Sequence, residues 1–163
     1  MNMKEYYNSK NFWDKEKTWR IQYPINDEII QKAEAMLNIV FPETFKKLMK
    51  EQNGGELTYP FFALPDDSNV KYHIDIDPIH FEDDDVSILS SGELLQEAKL
   101  PKSMLVLWTD FHYWIVVDYR PTKENPPIQF IYEDYTTEKT TWAYIKIANT
   151  FDDFLKQLFR IVD

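Results

Sequence analysis

Residues 33–55 read AEAMLNIVFPETFKKLMKEQNGG, two amphipathic stretches joined by a Phe-Pro step and closed by Asn-Gly-Gly. With the residues before it, the first becomes INDEIIQKAEAMLNIV (25–40). Asn26 or Asp27 can cap its start, acids occupy its first turn, and Ile30, Ala33 and Leu37 fall at i, i+3 and i+7, which predicts one helix with a buried stripe. In the second stretch Pro42 suits a first helical position, Phe45, Leu48 and Met49 share a face, and Asn53 or Gly54 can take the left-handed conformation that ends a helix. A DNA-reading version of this hairpin would open its second helix with Arg, Lys, Asn or Gln; here the opening is Pro-Glu-Thr.

Outward from this hairpin the chain changes character. Residues 56–88 are acidic, and Pro60, Pro65 and Pro78 predict short irregular extended pieces. SSGELLQEAKLP (90–101) predicts a short helix with Leu94, Leu95 and Ala98 on one side. Four strand-like segments follow: SMLVLWT (103–109), YWIVVDY (113–119), IQFIYED (128–134) and TWAYIKIA (141–148), all rich in β-branched and aromatic residues. TDFHY links the first two as a turn. The last stretch, TFDDFLKQLFRIVD (150–163), predicts a capped helix whose stripe is Phe151, Phe154, Leu155, Leu158 and Ile161. Helices, then a run of strands, then a helix is the order of an α+β domain, with a mixed, mainly antiparallel sheet against which the helices pack.

Composition narrows the function classes. The chain has 163 residues, 44% hydrophobic and 16% aromatic, enough apolar material for the core of a single domain. The absence of cysteine removes disulfides, thiolate metal sites and cysteine nucleophiles. A net charge of −10 without a basic cluster opposes direct binding to nucleic acid or anionic lipid, so a partner guided by charge is cationic. No apolar run approaches the roughly 20 residues of a membrane helix. The N-terminus carries charges where an export signal needs an apolar segment, so a cytoplasmic location is expected.

The pattern of Glu34, Leu37, Phe41, Pro42, Phe45, Asn53, Gly54 and Gly55 resembles the signature of the SUKH (SMI1/KNR4-like) superfamily. LVLWTDFHYWIVVDYR resembles that family's strand–turn–strand ending in a hydrophobic-Asp pair, here Val117 and Asp118. PIQFIYED and IANTFDDFLKQL are similar to its later pieces. The turn departs from the pattern: Asp110-Phe111-His112-Tyr113 stands where glycines are usual. The resemblance implies a domain of residues 26–163, with residues 1–25 an N-terminal extension packed on it. It also implies a role, held by many bacterial members, as an immunity protein that binds and neutralises a polymorphic or contact-dependent toxin, often a nuclease. Other members are cell-wall regulators, so a regulatory scaffold is the related alternative.

One segment concentrates chemistry. HIDIDPIHFEDDD (73–85) holds two of the three histidines and six acids in thirteen residues. An extended backbone puts His73, Asp75 and Asp77 on one face, with His80 nearby, which is the ligand set a metal-dependent enzyme would need. The same alternation describes an ordinary half-buried edge strand. Consecutive acids cannot readily bury one member to raise its pKa, as acid–base catalysis requires. No phosphate loop, G-x-S-x-G, H-E-x-x-H or deaminase pattern is present. The expectation is therefore a non-enzymatic binding protein without a cofactor. Asp75, Asp77, Glu82, Asp83, Asp84 and Asp85 would face a toxin with a basic surface, and Asp66 and Asp67 would be secondary contacts. Most strand aromatics are expected in the core, and any that face outward become candidate interface anchors.

Overall fold

A computed structural model describes residues 3–17, 22–82, 85–136, 138–139 and 141–163. Its elements in chain order are β1 (Met3–Tyr6), α1 (Asp27–Leu37), α2 (Glu43–Glu51), β2 (Gly55–Leu64), β3 (Asp67–Ile76), a 3-10 turn (Ile88–Ser90) running into α3 (Ser91–Glu97), β4 (Met104–Thr109), β5 (Tyr113–Asp118), β6 (Ile128–Asp134), β7 (Thr141–Ala148), α4 (Phe151–Leu155) and β8 (Phe159–Val162). The class is α+β, but the strands form two antiparallel sheets. Sheet A has the order β1-β8-β2-β3, and sheet C the order β4-β5-β6-β7.

The helical hairpin forms as its spacing predicts. The Asn26 side chain accepts a bond from the Ile29 N–H, and Asn38 ends α1 in the left-handed region at φ 56°. Pro42 stands just before α2, with φ −54° and ψ 141°, not inside it. Ile30, Ala33, Phe45, Leu48 and Met49 are buried. The Glu34 carboxylate accepts the Phe41 N–H at 2.7 Å, bracing the step between the helices.

Sheet C follows the predicted strands closely because its central strands are buried on both faces. On one face Leu105, Leu107, Ile115, Val117, Ile128 and Phe130 join the main core. On the other, Met104, Val106, Trp114, Val116 and Ile131 meet Leu95 and Leu100 of the α3 region. Trp142 adds a bond from its Nε1 to the Ala98 carbonyl at 3.0 Å, fixing the end of α3 to β7.

Sheet A overturns two expectations. Residues 55–76, read as irregular pieces, form a hairpin of two ten-residue strands. Pro60 is accommodated because the register jumps between Glu56 and Phe61, a bulge in which a missing N–H leaves no gap in the ladder. The bulged part of β2 instead pairs with the N-terminal segment: Thr58 N–H donates to Phe12 O, Asp14 N–H to Glu56 O, and Trp13 bridges Leu57. Phe12 and Trp13 are buried, and the indole N–H of Trp13 donates to Leu48 O at 2.8 Å near the end of α2.

The second correction is at the C-terminus. The stripe of Phe151, Phe154, Leu155 and Leu158 is buried as predicted, but the helix stops at Leu155 and Phe159–Val162 becomes β8. β1 lies beside it in register from Met3↔Val162 to Tyr6↔Phe159. This ribbon joins the β2–β3 hairpin through a single residue pair, Phe61↔Phe159.

Candidate functional site

The acidic segment starts on β3, an edge of sheet A, and continues through the loop that leads to the 3-10 turn. Ile74 and Ile76 point into the core, while His73 is exposed and Asp75 and Asp77 are half-buried, so the predicted alternation holds. Asp75 and Asp77 line a small cleft of roughly 70 Å³ between β3 and β4, opposite Val106, Trp108 and Thr109 and beside Ser87 and Ser91. Glu82 and Asp85 are exposed on the loop, and Asp66 and Asp67 are exposed at the hairpin tip, at the far end of β3. Asp83 and Asp84 lie outside the described residues.

The described residues of the loop, 77–82 and 85–87, are firmly held. Asn53, 2% exposed, donates through Nδ2 to Ile79 O at 2.9 Å and accepts the Ile79 N–H at 2.7 Å, with longer contacts to the carbonyls of Tyr23 and Pro24. His80, also buried, uses both ring nitrogens: Nδ1 accepts the Glu82 N–H at 3.1 Å, which leaves the proton on Nε2 to be donated to Val86 O at 2.6 Å. The Tyr23 ring stacks on this imidazole at 3.9 Å, and its hydroxyl donates to Asp85 at 2.7 Å. The Ser87 hydroxyl donates to His80 O and caps the 3-10 turn by accepting the Leu89 N–H. Beside the acids, Phe81 and Val86 are exposed, and the Lys32 ammonium lies 4.4 Å above the Phe81 ring.

This geometry does not assemble the alternative metal set. His80 has no ring nitrogen to offer, and His73 faces away toward Glu56 at 3.7 Å and Phe61. Among the described residues no three His, Cys, Asp or Glu side chains gather as ligands. His112 sits exposed in the β4–β5 turn.

A second polar cluster lies on the α3-facing side of sheet C. Asp118, 2% exposed, accepts the Arg120 backbone N–H at 3.0 Å and a fork of bonds from its guanidinium at 2.9 and 3.0 Å, with Gln129 at 3.4 Å. Burial pushes the Asp118 carboxyl upward, but the bonds from Arg120 outweigh it and hold it below its ordinary value. The same guanidinium lies 5.1 Å above the Tyr144 ring. Next along the chain, the buried Tyr119 hydroxyl donates to Val40 O at 2.6 Å. Burial first, and the Glu34 carboxylate second, push that phenol above its usual range.

The signature residues thus have structural tasks. Glu34 braces the interhelical step, Asn53 staples the loop, and Gly54 adopts φ +83° where an added Cβ would lie 2.7 Å from Pro78 N and 2.9 Å from Ile76 O. Sequence reading treated Asn53 only as a helix terminator and missed its side chain, because the partner segment lies 26 residues away. Most strand aromatics are expected in the core, with any outward-facing one a candidate anchor. Trp114 and Phe130 are there, but Trp108, Tyr132 and Trp142 are half-buried and Tyr144 is exposed.

An α+β domain with this helical hairpin and Asn-Gly-Gly staple defines a family, and the family model confirms it. The chain belongs to the SMI1 / KNR4 family (SUKH-1), whose model matches residues 24–157. No curated protein and no solved structure matches the chain. β1 and β8, which pair with each other, fall on either side of the matched residues. No helix among the described residues is long and apolar enough to cross a membrane.

Proposed function

We propose that this chain is an immunity protein that binds a basic protein toxin and blocks its working surface. The observation that carries the reading is the loop of residues 77–87. Asn53, His80, Tyr23 and Ser87 hold its described residues in place, while Glu82, Phe81 and Val86 remain exposed. Such preorganisation reduces the ordering cost of association, and an acidic rim around apolar side chains is the composition of a partner surface. Family membership and the net charge of −10 support a protein partner of opposite sign. Steering of this kind carries association rates up to on the order of 10⁸ M⁻¹s⁻¹ at low salt.

Asp85 serves the loop as well as its surface, since it accepts from Tyr23 and from the Val86 N–H. The test therefore spares it. Changing Glu82→Gln, Asp83→Asn and Asp84→Asn together is expected to leave the melting temperature unchanged, slow association with the cognate toxin, and flatten its salt dependence. Failure of the unaltered chain to restore growth of cells expressing that toxin would sink the immunity reading. Unchanged association rates for the triple variant at both low and high salt would remove the acidic loop from it.

A further inference from the structure

We propose that the β4–β5 turn and the aromatic cluster beside it form the anchoring half of the partner surface, built to take arginine side chains of a basic protein. This rests on the reading above only in taking the partner to be a basic protein. The starting observation is Phe111. It has φ 73° and is 62% exposed. A bulky residue in the left-handed region is uncommon and strained, and glycine would fill the position without cost. Its ring meets the buried Trp114 edge-on at 6.2 Å, yet most of the residue stays exposed, a second liability that the turn does not require.

The turn is built to hold that side chain outward. Thr109 Oγ1 donates to Tyr113 O and accepts the Phe111 N–H, both at 2.9 Å. Asp110 Oδ1 accepts the N–H groups of His112 and Tyr113 at 3.0 and 2.7 Å. Beside it Tyr113 stacks on Phe130 with ring centres 5.6 Å apart, and Tyr72 lies 5.2 Å from both rings and 6.1 Å from Trp108. Tyr135, 70% exposed, is tied to Glu133 through its hydroxyl.

The charges around this cluster identify what it fits. Burial raises the Tyr72 phenol, with Asp67 and Asp110 close enough to add to it, and the hydrogen bond to Glu133 is the first cause that raises the phenol of Tyr135. Aromatic faces with carboxylates beside them match a guanidinium, which stacks on the ring while its N–H groups meet the acids. The patch is also continuous with the acidic segment. Trp108 touches Tyr72 on one side and lines the Asp75–Asp77 cleft on the other.

The experiment titrates the full isotope-labelled chain with a ten-residue alternating Gly-Arg peptide, using the Gly-Glu peptide as control, and follows backbone and aromatic NMR signals. The expected result is saturable shifts of Tyr72, Trp108, Tyr113 and Tyr135 with the arginine peptide alone. Phe111→Gly should weaken binding about tenfold while the melting temperature holds or rises. Tyr135→Ser, at an exposed side chain, should weaken it as well and carries the test if the glycine variant folds poorly. Asp67→Asn with Glu133→Gln should lessen the salt dependence. Unchanged affinity in both aromatic variants, or no shift at millimolar peptide, overturns the inference. Shifts confined to residues 77–87 also overturn it but leave the acidic-loop reading intact, whereas shifts at the aromatic cluster alone uphold it and remove the loop.

Discussion

The two sheets solve the same problem with different means. Sheet C buries both faces, so β5 reads Trp114, Ile115, Val116, Val117 and Asp118 without an exposed residue after Tyr113. Sheet A alternates: Leu57, Tyr59 and Phe62 turn inward on β2, and the first half of β3 is exposed. Its ladder is broken by a bulge, borrows the Phe12–Asp14 segment, and depends on a one-pair joint to β8. The contrast teaches that the stiff sheet can hold surface loops in place, while the irregular sheet supplies the edge from which the acidic segment emerges.

The largest expected effect lies where the two meet. Phe154, 2% exposed, packs against Phe62 of sheet A at 5.7 Å and beside Phe151. Phe154→Ala should cost about 3–5 kcal/mol, read as a shift in denaturant midpoint. Leu37 is only half-buried at the margin of the same core, so Leu37→Ala should fall well below that. Equal losses would mean that the core does not centre on the interface between the sheets.

A smaller loss is expected at the staple. Gly54→Ala meets both a positive φ and the backbone of Ile76 and Pro78, which cannot yield like a flexible side chain. About 1–3 kcal/mol is expected, together with loosened exchange protection in residues 77–87. A neutral result would show that the loop is held by His80 and Ser87 without the close approach at Gly54.

The helical hairpin and sheet C were legible because each carries one unambiguous period: three to four residues between Ile30, Ala33 and Leu37, and continuous β-branched runs in β4 to β6. Sheet A was not. Pro60 and the acids of β3 read as breaks because their tolerance depends on a bulge and on an edge position, neither of which is local. Leu155, Leu158, Phe159 and Ile161 fit a helix as well as a strand, and the decision came from β1, more than 150 residues away in sequence. At the candidate site, the acids were visible as composition. The Asn53 and His80 bonds that shape their loop were not, and the exposure of Phe111 followed only from the turn's backbone.

The subtlest contrast is electrostatic and belongs to sheet C. Because Arg120 holds the Asp118 carboxyl below its ordinary value of 3.8, the folded state keeps this charge to lower pH than the unfolded chain does. Its contribution is complete above the ordinary value and is lost as pH falls through the depressed one. Asp118→Asn should cost roughly 1–3 kcal/mol near neutrality and lose less further stability than the parent between about pH 5 and pH 2. Parallel pH profiles for the two proteins, from melting curves, would assign the acid sensitivity to other carboxylates.

The joint between β8 and β2 has a consequence for how the protein comes into being. β1 leaves the ribosome well before its partner, which occupies residues 159–162. At ordinary synthesis rates the intervening stretch of about 150 residues takes on the order of ten seconds to emerge. Through that interval Met3–Tyr6 has no strand to pair with, and the Tyr7 N–H lacks the Leu158 carbonyl it finally meets. Sheet C and the helical hairpin can mature in the meantime, so the order-β1-β8-β2-β3 sheet is completed after them, closing when residues 159–162 fold back onto Met3–Tyr6.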